Sequence, residues 1–149
     1  MRRETQASCF VHAEPAAIFA IVSDHEGTAA WVPKVEVVKL LEPGTPKNGI
    51  PALRRVTFKP FGWGTIEERI TAYNADAGSF SYTITAGMPG VRDHLGTFQV
   101  SPAEGGCTVT WSVWFEFNPW IWGLGAGIFV RTFTGAMEEG LATLANQHV

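Results

Sequence analysis

The feature that most constrains this chain is a change of hydrophobic period at residue 34. From there to residue 118, apolar and polar residues alternate through six consecutive runs: 34–42, 50–59, 65–73, 79–86, 93–101 and 107–118. A period of two means strands with one face buried and the other wetted. Turn chemistry separates the runs, with Pro43-Gly44 and Asn48-Gly49, then Phe61-Gly62-Trp63-Gly64, then residues 74–78, 87–90 and 104–106. Connections this short hold successive strands antiparallel, so the segment is predicted to form one meander.

The flanks read differently. Residues 4–12 are a further strand candidate, with Ala7, Cys9 and Val11 on one face. Glu14-Pro15 then opens a short helix, because proline suits a first helical turn, and Ile18, Phe19 and Val22 form its apolar side. Ser23-Asp24 ends it or caps a second short helix to about Trp31, which Pro33 stops. After Asn118-Pro119, residues 123–127 are a glycine-rich lead-in to a helical stripe. There Phe129, Phe133, Met137, Gly140, Leu141 and Leu144 recur at spacings of three and four. The order β-α-α-β6-α implies an α+β fold in which a curved antiparallel sheet wraps a long C-terminal helix. A sheet curled around a helix can leave a space between them, and such spaces are natural ligand sites.

Composition bounds the function. The 149 residues predict a single domain over 1–149, 46% hydrophobic and only 17% charged, which excludes disorder. Net charge is −3 with no basic run beyond Arg2-Arg3, which argues against nucleic acid as a partner. Cys9 and Cys107 lie in strand-like runs without a CxxC, and the four histidines are scattered, so neither a metal site nor a cofactor is implied. His12, His25 and His148 have no carboxylate or cysteine at ligand spacing. The first twelve residues contain no apolar leader segment, and the longest nearly polar-free run, 120–130, is too short to span a bilayer. The expectation is a soluble, cytoplasmic protein. Neither a phosphate-cradling glycine loop nor a GxSxG elbow is present.

Several ordered pieces of the chain resemble a known family. They are Glu14-Pro15-Ala16-Ala17-Ile18-Phe19, Trp31-Val32-Pro33, Ala52-Leu53-Arg54-Arg55-Val56 and Glu67-Glu68-Arg69-Ile70. Gly87-Met88-Pro89-Gly90-Val91-Arg92-Asp93 and Gly105-Gly106-Cys107-Thr108-Val109-Thr110-Trp111 follow at matching spacing. In order and spacing they resemble the polyketide cyclase/dehydrase-like branch of the START/Bet v 1 (SRPBCC) superfamily, over essentially the whole chain. Cys107 departs from the threonine common there. The resemblance implies a helix-grip fold around a hydrophobic cavity. It leaves the chemistry open, because that superfamily includes cyclases, lyases, lipid carriers and receptors.

Alternation assigns the inner face. Run 50–59 places Ile50, Ala52, Val56 and Phe58 with Arg54; run 65–73 places Ile66 and Ile70 with Glu68. Run 79–86 contributes Phe80, Tyr82 and Ile84, and run 93–101 contributes His94, Gly96, Phe98 and Val100. The last run adds Val109, Trp111, Val113, Phe115 and Phe117. The predicted ligand wall comprises Trp31, Val56, Phe58, Ile70, Phe80, Phe98, Trp111, Val113 and Phe115, with Phe129, Phe133 and Met137 from the helix. The candidate catalytic set is Arg54, Glu68, Tyr82 and His94. Arg54 and Glu68 on neighbouring strands are either a structural ion pair or a device that orients a ligand carbonyl or acid. A glutamate in an apolar wall has a raised pKa suited to proton transfer near neutrality, and His94 is a second candidate shuttle.

Trp63 sits at a hairpin tip, and Trp120 and Trp122 precede the last helix. They read either as a gate over the cavity or as a patch for a homodimer or for transient membrane contact. Two functions therefore stand side by side. One is a cofactor-independent cyclase or dehydratase acting on a polyketide-like carbonyl compound. The other is a non-catalytic carrier or sensor of a lipid, isoprenoid-like or other hydrophobic small molecule.

Overall fold

A computed structural model describes residues 1–60 and 62–149; Phe61, first residue of the Phe61-Gly62-Trp63-Gly64 turn, lies outside them. Seven strands form one antiparallel sheet in the order β1-β7-β6-β5-β4-β3-β2. They are β1 (Arg2–Val11), β2 (Val35–Glu42), β3 (Leu53–Phe58), β4 (Thr65–Asn74), β5 (Ser79–Ala86), β6 (Val91–Ala103) and β7 (Gly106–Phe117). Between β1 and β2 come α1 (Pro15–Val22) and a 3₁₀ turn (His25–Ala30); α2 (Pro119–Trp122) and α3 (Gly125–Asn146) close the chain. This is the α+β architecture that the periodicities implied, and the helix grip that the resemblance implied. No helix among the described residues is long and apolar enough to cross a membrane.

The sheet curves because its ladders slip. Register shifts occur twice in β2–β3, twice in β4–β5 and once in β6–β7, and each bulge bends and twists its strand. The concave face receives α3. Its buried stripe is Ala126, Ala136, Met137, Gly140, Leu141 and Leu144, of which Met137, Leu141 and Leu144 share one core with the inward residues Val109, Val113 and Phe117. Two contacts fix the direction of α3 along β1: the Thr5 and Thr134 hydroxyls meet, and the Cys9 thiol reaches the Leu141 carbonyl. Burial raises the pKa of both cysteines, which form no disulfide and behave as small apolar residues.

Two local expectations are corrected. Run 50–59 is not a strand throughout: β3 begins only at Leu53, and Ile50 is 45% exposed rather than inward. Pro46 and Pro51 have no N–H to offer a ladder, and the segment instead folds on itself through Thr45 N–H to Ile50 O and Asn48 N–H to Pro43 O. The glycine-rich 123–127 segment is likewise not a lead-in, since Gly125 and Gly127 lie inside α3. Burial of Ala126 there outweighs the poor helix propensity of its neighbours. A separate one-turn helix, α2, precedes it, started by Pro119 and by the Asn118 side chain accepting from Trp120 N–H.

Candidate functional site

Between the sheet and α3 lies a cavity of about 230 Å³. A buried water needs only about 10–15 Å³ measured in the same way, so the space is ligand-sized. Its wall is apolar over most of its extent: Val56, Phe58, Ile66, Ile84, Trp111 and Phe115 from the sheet, with Phe129, Phe133 and Met137 from α3. Four polar residues converge on it, namely Arg54, Glu68, Tyr82 and His94. All four are buried.

The β3–β4 register makes Arg54 and Glu68 direct partners, so their side chains share a face and meet. Arg54 Nε–H and Nη2–H both donate to Glu68 Oε1, at 3.0 and 2.8 Å. Glu68 Oε2 takes no hydrogen bond from the described residues. Burial pushes the Glu68 carboxyl above the usual carboxylate range, against the pull of Arg54. The guanidinium also stacks over the Tyr82 ring, 4.6 Å from its centroid.

A residue that sequence reasoning had set aside completes this cluster. His25, fully buried, lies on the 3₁₀ turn, and its Nδ1 is 2.9 Å from Arg54 Nη1. Arginine can only donate, so Nδ1 accepts, and Nε2–H donates to Asn48 O at 2.8 Å. The ring is therefore neutral. Burial, and then the Arg54 charge, hold its pKa down at about 3. The two residues are 29 positions apart with no motif joining them, so only the folded chain reveals the contact.

Tyr82 occupies space that a single glycine creates. A Cβ on Gly96, its partner across β5–β6, would stand 2.1 Å from Tyr82 Cζ, so only glycine lets the ring lie flat there. The Tyr82 hydroxyl accepts from Trp111 Nε1–H at 2.8 Å. Desolvation, and then Glu68, raise the phenol pKa, so it stays protonated.

The β5–β6 ladder pairs only from Ser79 and Gln99 to Tyr82 and Gly96. Beyond it, His94 stands in for the backbone: Ile84 N–H donates to His94 Nδ1 at 3.1 Å. That bond fixes the tautomer and leaves Nε2–H as the free donor of a ring that lines the cavity. Burial, and then Arg54, lower the His94 pKa to about 3, so the ring stays neutral at pH 7.

Not every predicted wall residue reaches the space. Trp31, Ile70, Phe80, Phe98 and Val113 are buried in the packed core instead. Phe98 stacks on Trp111 at 4.6 Å and on Phe80 at 5.1 Å, and Trp31 meets both Phe98 and Trp111 edge-on. Alternation distinguishes inward from outward, but not a wall from the layer packed beside it. Val56, Phe58, Trp111, Phe115, Phe129, Phe133 and Met137 do line it. The three tryptophans divide. Trp63 meets Phe58, Phe129 and Phe133, and Trp122 meets Phe117 and Phe129, so both close over the cavity, whereas Trp120 is 94% exposed.

Comparison with known proteins agrees with this fold. The family model for polyketide cyclase/dehydrase and lipid transport proteins matches residues 2–148. A search of curated proteins finds no match. Among solved structures, an uncharacterised protein from Bacillus thuringiensis superposes with a TM-score of 0.77 at 21% identity, covering 98% of both chains. A protein from Thermus thermophilus gives 0.78 at 18% identity, covering 97% of this chain and 95% of the other. Norcoclaurine synthase from Thalictrum flavum, solved with dopamine and hydroxybenzaldehyde, gives 0.73 at 16% identity, covering 100% of this chain and 89% of its own. At such identities these structures share the fold alone. The family match spans almost the entire chain, which therefore belongs to the polyketide cyclase/dehydrase and lipid transport family.

Proposed function

We propose that this protein binds a small hydrophobic carbonyl compound and moves a proton on it without a cofactor. The observation that carries the reading is the pairing of one free acceptor with free donors at the polar part of an apolar cavity. Glu68 Oε2 is the acceptor, while His94 Nε2–H and the remaining Arg54 N–H groups are the donors. The apolar wall orients the skeleton and excludes water, which strengthens each polar contact. With the carbonyl oxygen on His94 and Arg54, Glu68 Oε2 takes a proton from the adjacent carbon. The C–H electron pair becomes the enolate double bond, and the charge on oxygen is held by the donors. The raised pKa of Glu68 suits it to pass that proton on to oxygen, either to the alkoxide formed when the enolate carbon closes a ring or to a hydroxyl that leaves as water in dehydration.

Deuterium exchange at the carbon beside the carbonyl of a bound aromatic ketone, followed by NMR in D₂O, tests this. Wild-type protein is expected to accelerate exchange, and Glu68→Gln to abolish it while still binding the ketone. A second reading, non-catalytic carriage of a lipid-like molecule, is favoured by the apolar extent of the wall. Saturable binding without exchange in the wild type selects it.

A further inference from the structure

We infer that α2 and the first two turns of α3 dock on the surface of an anionic lipid bilayer and bring the cavity mouth against it. Large apolar side chains stand in water here: Trp120 is 94% exposed, Ile121 61%, Leu124 93% and Ile128 70%. Leu124 and Ile128 are one helical turn apart and share a face. The patch is held rigidly. Trp122 Nε1–H donates to Pro89 O at 3.0 Å, and α2 lies so close to Gly90 that a Cβ there would come within 2.8 Å of Ile121 and Trp122. The same short helix therefore turns Trp122 into the cavity and Trp120 outward. Trp122, Phe129 and the exposed Pro89 all line the cavity, so the patch borders its mouth.

Charge selects the occupant. From Phe117 to Met137 the only charged residue is Arg131, three positions beyond Ile128 on the exposed face. Arg3 lies level with it. Thr5 meets Thr134 and Cys9 meets Leu141, so β1 and α3 run in the same direction. Two strand residues back from Thr5 is about 7 Å, or roughly four helical residues back from Thr134. Arg92 follows the turn that seats α2. Among the described residues, Arg3, Arg92 and Arg131 have no carboxylate partner, whereas Glu4 pairs with Arg2 and Glu116 with the N-terminal amine. A second copy docking through this face would bring these arginines together, since a two-fold contact places one patch on itself. Anionic headgroups complement them, with apolar side chains inserted and tryptophan at the boundary.

Flotation with phosphatidylcholine vesicles, with and without phosphatidylglycerol, tests the inference at low and high salt. Wild-type protein is expected to float with the anionic vesicles, less so at high salt, and to lose iodide quenching of Trp120. Leu124→Asp/Ile128→Asp, at exposed positions, is expected to keep the native circular dichroism and to bind about tenfold or more weakly. Arg131→Glu is expected to weaken binding and flatten its salt dependence. Absence of vesicle binding by the wild type overturns the inference, as does equal binding by the double variant. So does a dimer in sedimentation velocity that the double variant dissolves while vesicles bind neither protein.

Discussion

Removing one member of the Arg54–Glu68 pair is expected to have unequal consequences, because only one of them can shed its charge. Both side chains are 7% exposed and are joined at 2.8 and 3.0 Å through one carboxylate oxygen. Glu68→Gln leaves a guanidinium that cannot deprotonate, with the neutral His25 ring and the Tyr82 face as its company. The expected loss is about 3–5 kcal/mol. At roughly 2–4 °C per kcal/mol for a chain of this size, that lowers Tm by about 6–20 °C. Arg54→Leu leaves a carboxyl that can take up a proton. Its pKa, already raised by burial, climbs further once Arg54 no longer pulls it down. A folded-state pKa raised above the unfolded value gives stability that is lost as pH rises. The penalty of Arg54→Leu relative to wild type therefore grows by up to about 1.4 kcal/mol per pH unit, between the wild-type Glu68 pKa and the variant's higher one. The penalty of Glu68→Gln stays flat over that window. Urea denaturation of the three proteins at several pH values from mildly acidic to mildly alkaline measures both. A pH-independent penalty for Arg54→Leu, or one larger than that of Glu68→Gln at the acidic end, would refute the reasoning.

Other consequences are open to equally direct measurement. Gly96→Ala is expected to destabilise by about 2–5 kcal/mol, combining overpacking against Tyr82 with loss of the Trp111–Tyr82 hydrogen bond. In a Tyr82→Leu background its penalty is expected to fall below about 1 kcal/mol, and a thermodynamic cycle that finds the two changes additive sinks the account. His25 and His94 have folded pKa values near 3, below the ordinary value, so the neutral rings stabilise the fold above about pH 6.5. Each is expected to cost about 1.4 kcal/mol per pH unit as pH falls from there toward 3, partly offset by Glu68, which titrates in the opposite sense. Urea midpoints that do not move between neutral and mildly acidic pH contradict this. Asn48 O holds the His25 ring, so His25→Phe is expected to weaken ketone binding more than it weakens binding of the matching hydrocarbon, by titration calorimetry.

Sequence periodicity carried the fold far because period two is a local property that the sheet obeys globally. Alternation placed Arg54, Glu68, Tyr82 and His94 on the inner face, and each lies there. It failed where a non-repeating constraint overrode it. Pro51 delays β3, so Ile50 faces water. Phe80 and Phe98 point inward but stack on each other, filling the space that a wall residue would leave open. His25 joins the site through a turn whose position depends on the docking of α1 and on the 43–52 segment, so its distance along the chain gave no hint. The role of His94 as a backbone surrogate for Ile84 is likewise set by where the β5–β6 ladder ends.

The place of β1 has a consequence for how the molecule comes into being. Its sheet neighbour is β7, the last strand of the chain, with Arg2 opposite Glu116 and Val11 opposite Cys107. As the polypeptide leaves the ribosome, the hairpins from β2 to β6 can pair with neighbours already made. β1 must wait for nearly the whole chain, with Ala7, Cys9 and Val11 unmatched. During that interval the aromatic surface of the nascent meander also lacks α3, its cover. This is the period when chaperone protection matters most. Slowing translation after β7 is then expected to lengthen the vulnerable phase more than a pause anywhere before β2.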